Sequence, residues 1–108
     1  MLDFTLLDYI DKNFADPTIS LKMLGTMFDL STKSIGNYFS LKYHMTYLEY
    51  VTKKRIEKAI NLLKDGALSI DDVARLSGYS SALSFRRNFK DITGFTPSEY
   101  RSRDNSLQ

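Results

Sequence analysis

The chain has 108 residues, 43% apolar and 26% charged, with a formal net charge of +2; this is the mixture of an ordinary globular chain and not of a disordered or fibrous one. That length suits one domain or two closely packed subdomains with modest cores. Cysteine is absent, which excludes a disulfide framework and thiol chemistry, and no leader or apolar run of membrane length stands in the sequence, so the cytoplasm is the expected compartment.

Residues 3–14, DFTLLDYIDKNF, space Phe4, Leu7, Tyr9 or Ile10, and Phe14 as one face of a helix, with Asp3 and Asp8 toward the positive end of its dipole. Ala15-Asp16-Pro17 interrupts it. Ser20 then offers a cap to a short helix carrying Leu21, Leu24 and Met27 or Phe28. After a tight turn at Asp29-Leu30, Ser31 caps a helix that buries Ile35, Tyr38 or Phe39, and Tyr43, leaving Lys33, Gly36, Asn37 and Ser40 outside.

The stretch from Thr46 to Lys64 reads as one helix about 28 Å long at 1.5 Å per residue. Leu48, Val51, Ile56, Ala59, Ile60 and Leu63 form its apolar stripe. Thr46 and Glu49 make a capping box, and Gly66 can supply a left-handed turn at the far end. The same grammar then returns. Ser69 and Asp72 open a short helix with Ile70, Val73 and Leu76 on its buried edge, and Gly78 suits a positive φ. Ser80 or Ser81 caps the next helix, with Phe85, Phe89 and Ile92 inward and Leu83, Arg86, Arg87 and Lys90 on or beside the opposite face. Thr96-Pro97-Ser98-Glu99 starts a closing helix that carries Tyr100 inward, and DNSLQ reads as a frayed tail.

Two copies of one unit account for this order. At an offset of 49, Ser20, Leu21, Leu24, Leu30 and Ser31 fall on Ser69, Ile70, Val73, Tyr79 and Ser80. At an offset of 50, Ile35, Phe39, Met45, Thr46, Glu49 and Tyr50 fall on Phe85, Phe89, Phe95, Thr96, Glu99 and Tyr100, so the second turn holds one extra residue. The expected organisation is all-α: a first helix-turn-helix subdomain over 1–45, a connecting helix over 46–65, a second subdomain over 66–103 and a flexible tail over 104–108. Charge is divided unequally between the halves. Residues 1–45 carry four Lys and five Asp, net −1; residues 46–108 carry eleven Lys and Arg against eight Asp and Glu, net +3.

A short helix, a tight turn and a second helix can lay that second helix in the major groove of DNA. For the second unit, Arg86 and Arg87 are the expected base readers, because a guanidinium can pair with a guanine edge or grip phosphate. Ala82 and Leu83 can touch a thymine methyl, the alternative for Leu83 being packing against the turn. Ser81 and Lys90 suit phosphate. In the first unit Lys33 and Asn37 can read bases and Gly36 allows close backbone approach, with positioning without discrimination as the equal alternative; Ser31 and Ser40 suit phosphate. On the connector Lys53 and Lys54 are phosphate candidates. Arg55 sits between inward positions, so a packed, structural role is at least as good a reading of it.

Three pieces, ISLKMLGTMFDLSTKSIGNYF, YLEYVTKKRIEKAINLL and SIDDVARLSGYSSALSFRRNFKDITGFTPSEYR, carry a resemblance to the DNA-binding domain of the AraC/XylS family of transcription regulators. It covers residues 4–101. In the last piece Ile70, Ala74, Gly78, Tyr79, Phe85, Phe89, Lys90, Gly94, Thr96, Pro97, Tyr100 and Arg101 stand where the family signature asks for those residue types. The resemblance implies seven helices, two recognition helices on asymmetric double-stranded promoter DNA, contact with RNA polymerase in some members, and a separate N-terminal sensory, dimerisation or receiver domain in the full-length protein. Gly25 replaces a usual alanine, His44 the glycine matched by Gly94, Ser40 the lysine matched by Lys90, and Ser81 a common aspartate. Two other function classes compete. An enzyme lacks a motif here: His44 is the one histidine, no metal-ligand spacing recurs, no cofactor is implied, and Asp71-Asp72 are accounted for by the positive start of a helix. A helical protein-interaction module would use exposed Leu41, Leu83 and tyrosines.

Overall fold

A computed structural model describes residues 2–106, with side-chain surroundings for 5–103. The chain is all-α, with seven helices among the described residues: α1 Leu2–Asn13, α2 Leu21–Phe28, α3 Thr32–Tyr43, α4 Tyr47–Leu63, α5 Ile70–Leu76, α6 Ala82–Thr93 and α7 Pro97–Ser106. It divides into compact units over 1–54 and 55–108, and α4 contributes to both. The side chains of Asp3 and Phe4, expected on the first helix, lie outside the described residues.

In the first unit Leu6 and Ile10 of α1 meet Leu24, Ile35, Phe39, Tyr47, Tyr50 and Val51 in one buried cluster. Of the paired sequence alternatives, Ile10 and Phe39 are the fully buried members, Tyr9 and Tyr38 pack partly, and Phe28 packs where Met27 is 51% exposed. The rings of Tyr47 and Tyr50 lie 5.9 and 5.1 Å from that of Phe39. They fill the side of α4 that faces α3, and Leu48, expected on the apolar stripe, is 66% exposed as a result. Tyr50 also donates from its hydroxyl to Asp11 Oδ1 at 2.8 Å, tying α4 to α1. Burial and that bond push the Tyr50 phenol far above its usual range.

The second unit is built on Ile56, Ala59, Leu63, Val73, Ala74, Tyr79, Phe85 and Phe89. Ile92 is exposed and not part of the inward face, because Tyr100 takes the place beside Phe89, with ring centroids 5.5 Å apart. Leu76 is exposed too. The inward end of α5 is occupied instead by Ala74 and by Ser77, whose buried hydroxyl donates to the carbonyls of Val73 and Ala74 at 2.7 and 3.1 Å. Gly66 does not adopt a positive φ. The far end of α4 is closed by Arg101, which donates from Nε to Leu63 O at 2.9 Å and from Nη2 to Asp65 O at 3.1 Å. The backbone of residues 104–106 belongs to α7, and residues 107–108 of the expected tail lie outside the described residues.

The caps repeat between the units. Ser20 and Ser69 accept the amides of Met23 and Asp72, and Ser31 and Ser81 those of Ser34 and Ser84. Thr46 with Glu49 and Thr96 with Glu99 form reciprocal capping boxes. The turn amides of Leu30 and Tyr79 donate to Gly25 O and Ala74 O at 2.9 and 3.0 Å. Since those bonds keep the offset of 49 and the caps Ser31 and Ser81 differ by 50, Ser80 is the inserted residue. Asp29 and Gly78 hold positive φ in the two turns, and His44 and Gly94 cap α3 and α6 in the left-handed region.

Candidate nucleic-acid interface

The second helix of each pair is anchored by two buried residues, flanked by half-buried ones, and exposes its opposite face. In α6, Phe85 and Phe89 are fully buried, and helical spacing turns Leu83, Arg87 and Lys90 away from them and sets Arg86 on the flank, while Ala82, three residues before Phe85, starts the helix on the buried side. Leu83 is 65% exposed, so it does not pack against the turn; Ala82 is half-buried and Arg86, Arg87 and Lys90 are exposed. Arg86 is not isolated: its Nη2 lies 3.4 Å from Asp71 Oδ1 on α5. Ser81 spends its hydroxyl oxygen on the Ser84 amide at 3.3 Å, fixing where the helix begins.

In α3, Ile35 and Phe39 are the buried anchors. Lys33, Asn37 and Ser40 are exposed, and Gly36 is half-buried with no neighbouring heavy atom within 4 Å of where a Cβ would stand. The outward face is therefore locally open at Gly36. Ser31 accepts the Ser34 amide and donates to the Ser34 hydroxyl at 2.8 Å, so its side chain serves the cap. Lys42 lies over the rings of Tyr38 and Tyr43 at 5.5 and 5.7 Å.

The connector's basic residues separate by environment. Lys53 is exposed. Lys54 stands 3.9 Å from Asp11 and 5.6 Å from the centre of the Tyr50 ring, which draws it into the first unit's packing. Arg55 stacks its guanidinium 5.6 Å from the Tyr79 ring, in line with a structural role. Two contacts near the second unit's reader and at the end of α4 are among those the sequence did not announce, Asp71 with Arg86 and Arg101 with the α4 carbonyls. Neither carries a periodic signal, since each partner lies at least 15 residues away across turns.

Among the described residues no group of three or more His, Cys, Asp or Glu side chains could hold a metal ion, and no helix is long and apolar enough to cross a membrane. The two units present capped helices whose exposed faces carry polar and basic residues beside Leu41 and Leu83, each buttressed by a shorter helix across a tight turn.

Comparison with known proteins agrees with that geometry. A family model described as a helix-turn-helix domain matches residues 24–103. The putative HTH-type transcriptional regulator YkgA of Escherichia coli K12 is 34% identical over 99 residues, which are 92% of this chain and 41% of YkgA. The chain spans 33–41% of the length of YkgA and two other E. coli relatives, YpdC and YijO. Among solved structures, a probable AraC family transcriptional regulator from Rhodopseudomonas palustris superposes with a TM-score of 0.76 at 28% identity, covering 91% of this chain and 92% of that one. The DNA-binding domain of AdpA, solved in complex with a target DNA, superposes with a TM-score of 0.88 over 96% of this chain and 93% of that one; at 19% identity it speaks to the fold alone. The chain thus belongs to the helix-turn-helix domain family and is a domain of the kind carried by HTH-type transcriptional regulators.

Proposed function

We propose that the chain is the DNA-binding domain of an AraC/XylS-type transcription regulator, with α3 and α6 reading two successive major-groove segments of an asymmetric promoter site. The observation that supports this reading is the exposure of Leu83, Arg86 and Arg87 on α6, beside the half-buried Ala82, on a helix anchored by Phe85 and Phe89. Arginine supplies the bidentate donor geometry that guanine O6 and N7 accept, and the apolar pair supplies a surface for thymine methyls. In α3, Lys33, Gly36 and Asn37 are the corresponding base-facing positions. Ser31, Ser40, Ser81, Lys53, Lys54 and Lys90 are the phosphate set, with Ser31, Ser81 and Lys54 the weaker members because each already has a partner in the fold. The readers differ in sequence, so one chain would recognise two dissimilar half-sites. Further domains of a longer protein, and RNA polymerase, are the expected partners, and the bacterial nucleoid in the cytoplasm the expected place of action.

A second reading, a helical protein-interaction module, is favoured by an open groove of about 760 Å³ in the first unit, bounded in part by Ile19, Leu21, Met45 and the exposed Leu48. Salt separates the two, because phosphate contacts weaken steeply as salt rises and an apolar protein interface does not. The test is fluorescence anisotropy against a randomised duplex pool, with selection of retained sequences, at two salt concentrations and with Arg86 and Arg87 both changed to alanine. The expected result is an asymmetric site with two blocks about one helical turn apart, lost in the folded double variant. Absence of salt-sensitive duplex binding by the folded wild type would overturn the reading in favour of the protein-interaction module.

A further inference from the structure

We propose that Asp71 is a positioning residue for Arg86 and sets the base selectivity of the second reader; this rests on the DNA-reading role of α6 proposed above. Asp71 and Asp72 are neighbours in the first turn of α5, yet their contacts separate their tasks. Asp72 closes the capping box with Ser69 and pairs with Arg75 at 3.3 Å. Asp71 instead reaches α6, where its Oδ1 lies 3.4 Å from Arg86 Nη2.

The pair sits at the solvent edge of the reading face, with the side chain of Asp71 76% exposed and that of Arg86 54% exposed. An exposed ion pair of this kind does little for stability, so its consequence is for the conformation of Arg86. A guanidinium has two donor edges, Nε with Nη2 and Nη1 with Nη2, and Nη2 carries one hydrogen on each. A single carboxylate oxygen on Nη2 occupies one edge and leaves the other complete for the O6 and N7 acceptors of guanine. The carboxylate also makes a neighbouring phosphate unfavourable, which steers Arg86 away from the sequence-blind backbone.

The internal repeat provides a contrast within the same chain. The positions equivalent to Asp71 and Arg86 are Lys22, at an offset of 49, and Gly36, at an offset of 50. The first unit lacks both members. The carboxylate stands only in the unit whose reader carries an arginine to be oriented.

Asp71→Ala, Asp71→Asn, Arg86→Ala and the Asp71→Ala/Arg86→Ala pair in the full 108-residue chain test the assignment. Competition anisotropy would use the duplex selected by the wild type, its single-base-pair variants across the block assigned to α6, and an unrelated duplex, with thermal unfolding in parallel. Asp71→Ala is expected to melt like the wild type and to lose roughly 5-fold or more of the preference at the same base pair where Arg86→Ala loses it. It should bind the unrelated duplex as tightly or more tightly. Asn, which keeps an acceptor oxygen, should restore part of the preference, and Asp71→Ala should change nothing further once Arg86 is gone. Wild-type selectivity in Asp71→Ala beside lost selectivity in Arg86→Ala would overturn the proposal. Uniformly tighter binding with unchanged selectivity would do the same, identifying Asp71 as a competitor for Arg86 and not its guide. If the wild type binds no duplex, the DNA-reading role falls and the positioning role with it.

Discussion

Gly25 and Gly36 are both helical glycines of the first unit, and the same substitution to alanine is expected to have opposite effects at the two. In a helix interior alanine is favoured over glycine by up to about 1 kcal/mol, because glycine loses more backbone entropy. At Gly36 nothing lies within 4 Å of an added Cβ, so Gly36→Ala should gain most of that, roughly 0.5–1 kcal/mol. At Gly25 the added Cβ would stand 2.8 Å from the carbonyl oxygen of Leu30. That oxygen is backbone, and the turn bearing it is pinned by the Leu30 amide donating to Gly25 O at 2.9 Å. Shifting a packed backbone costs about 1–3 kcal/mol, which outweighs the propensity gain. Gly25→Ala should therefore lose up to about 2 kcal/mol net. Urea unfolding followed by helical circular dichroism measures both, each variant compared with the wild type at equal m. Equal stabilisation by the two substitutions would refute the argument, because it would mean that the tight turn relaxes without cost.

Three further outcomes follow from particular contacts. His44 holds a φ of 56° where the matching position is Gly94; a left-handed L-residue costs about 1–2 kcal/mol, partly offset by glycine's greater unfolded-state freedom, so His44→Gly should raise the urea midpoint by the equivalent of about 0.5–1 kcal/mol. Arg101→Ala removes two donors from the end of α4 and should lower stability by about 1–2 kcal/mol, with lysine, which cannot fork, recovering less than half; a melting temperature equal to wild type would exclude the capping role. Asp72 is held below the usual carboxylate range first by its hydrogen bonds with Ser69 and then by Arg75, and Glu99 by the Thr96 amide and hydroxyl. Both depressed values mean that the unfolded chain takes up protons first, so the stabilisation is present at neutral pH and fades as pH falls below about 4 through the folded-state values. Asp72→Asn with Glu99→Gln should flatten the fall in melting temperature between about pH 5 and pH 3, and an unchanged slope would count against it.

The caps and the repeat were legible in the chain because they are local. Ser20, Ser31, Thr46, Ser69 and Thr96 each find their partner within one helical turn, and a capping residue within four positions of the first apolar residue carries that information by itself. Periodicity likewise located Ile35, Phe85 and Phe89 and, by exclusion, the outward residues of both second helices. It could not decide between Tyr9 and Ile10, between Tyr38 and Phe39 or between Ser80 and Ser81, since neighbours differ by only 100° around a helix or one step in a turn.

The sequence by itself determined an all-helical chain, its two turns, its helix starts and the residue types presented on α3 and α6. Tertiary structure alone decided which apolar residues are left in solvent, as at Leu48 and Ile92, where Tyr47, Tyr50 and Tyr100 fill the space first. It alone brought Asp71 to Arg86 and Arg101 to the carbonyls ending α4. The physical reason is range. Capping and amphipathicity act within four residues and leave a pattern in the chain, whereas packing and cross-turn hydrogen bonds join residues whose separation is set by the path of the backbone and has no period to read.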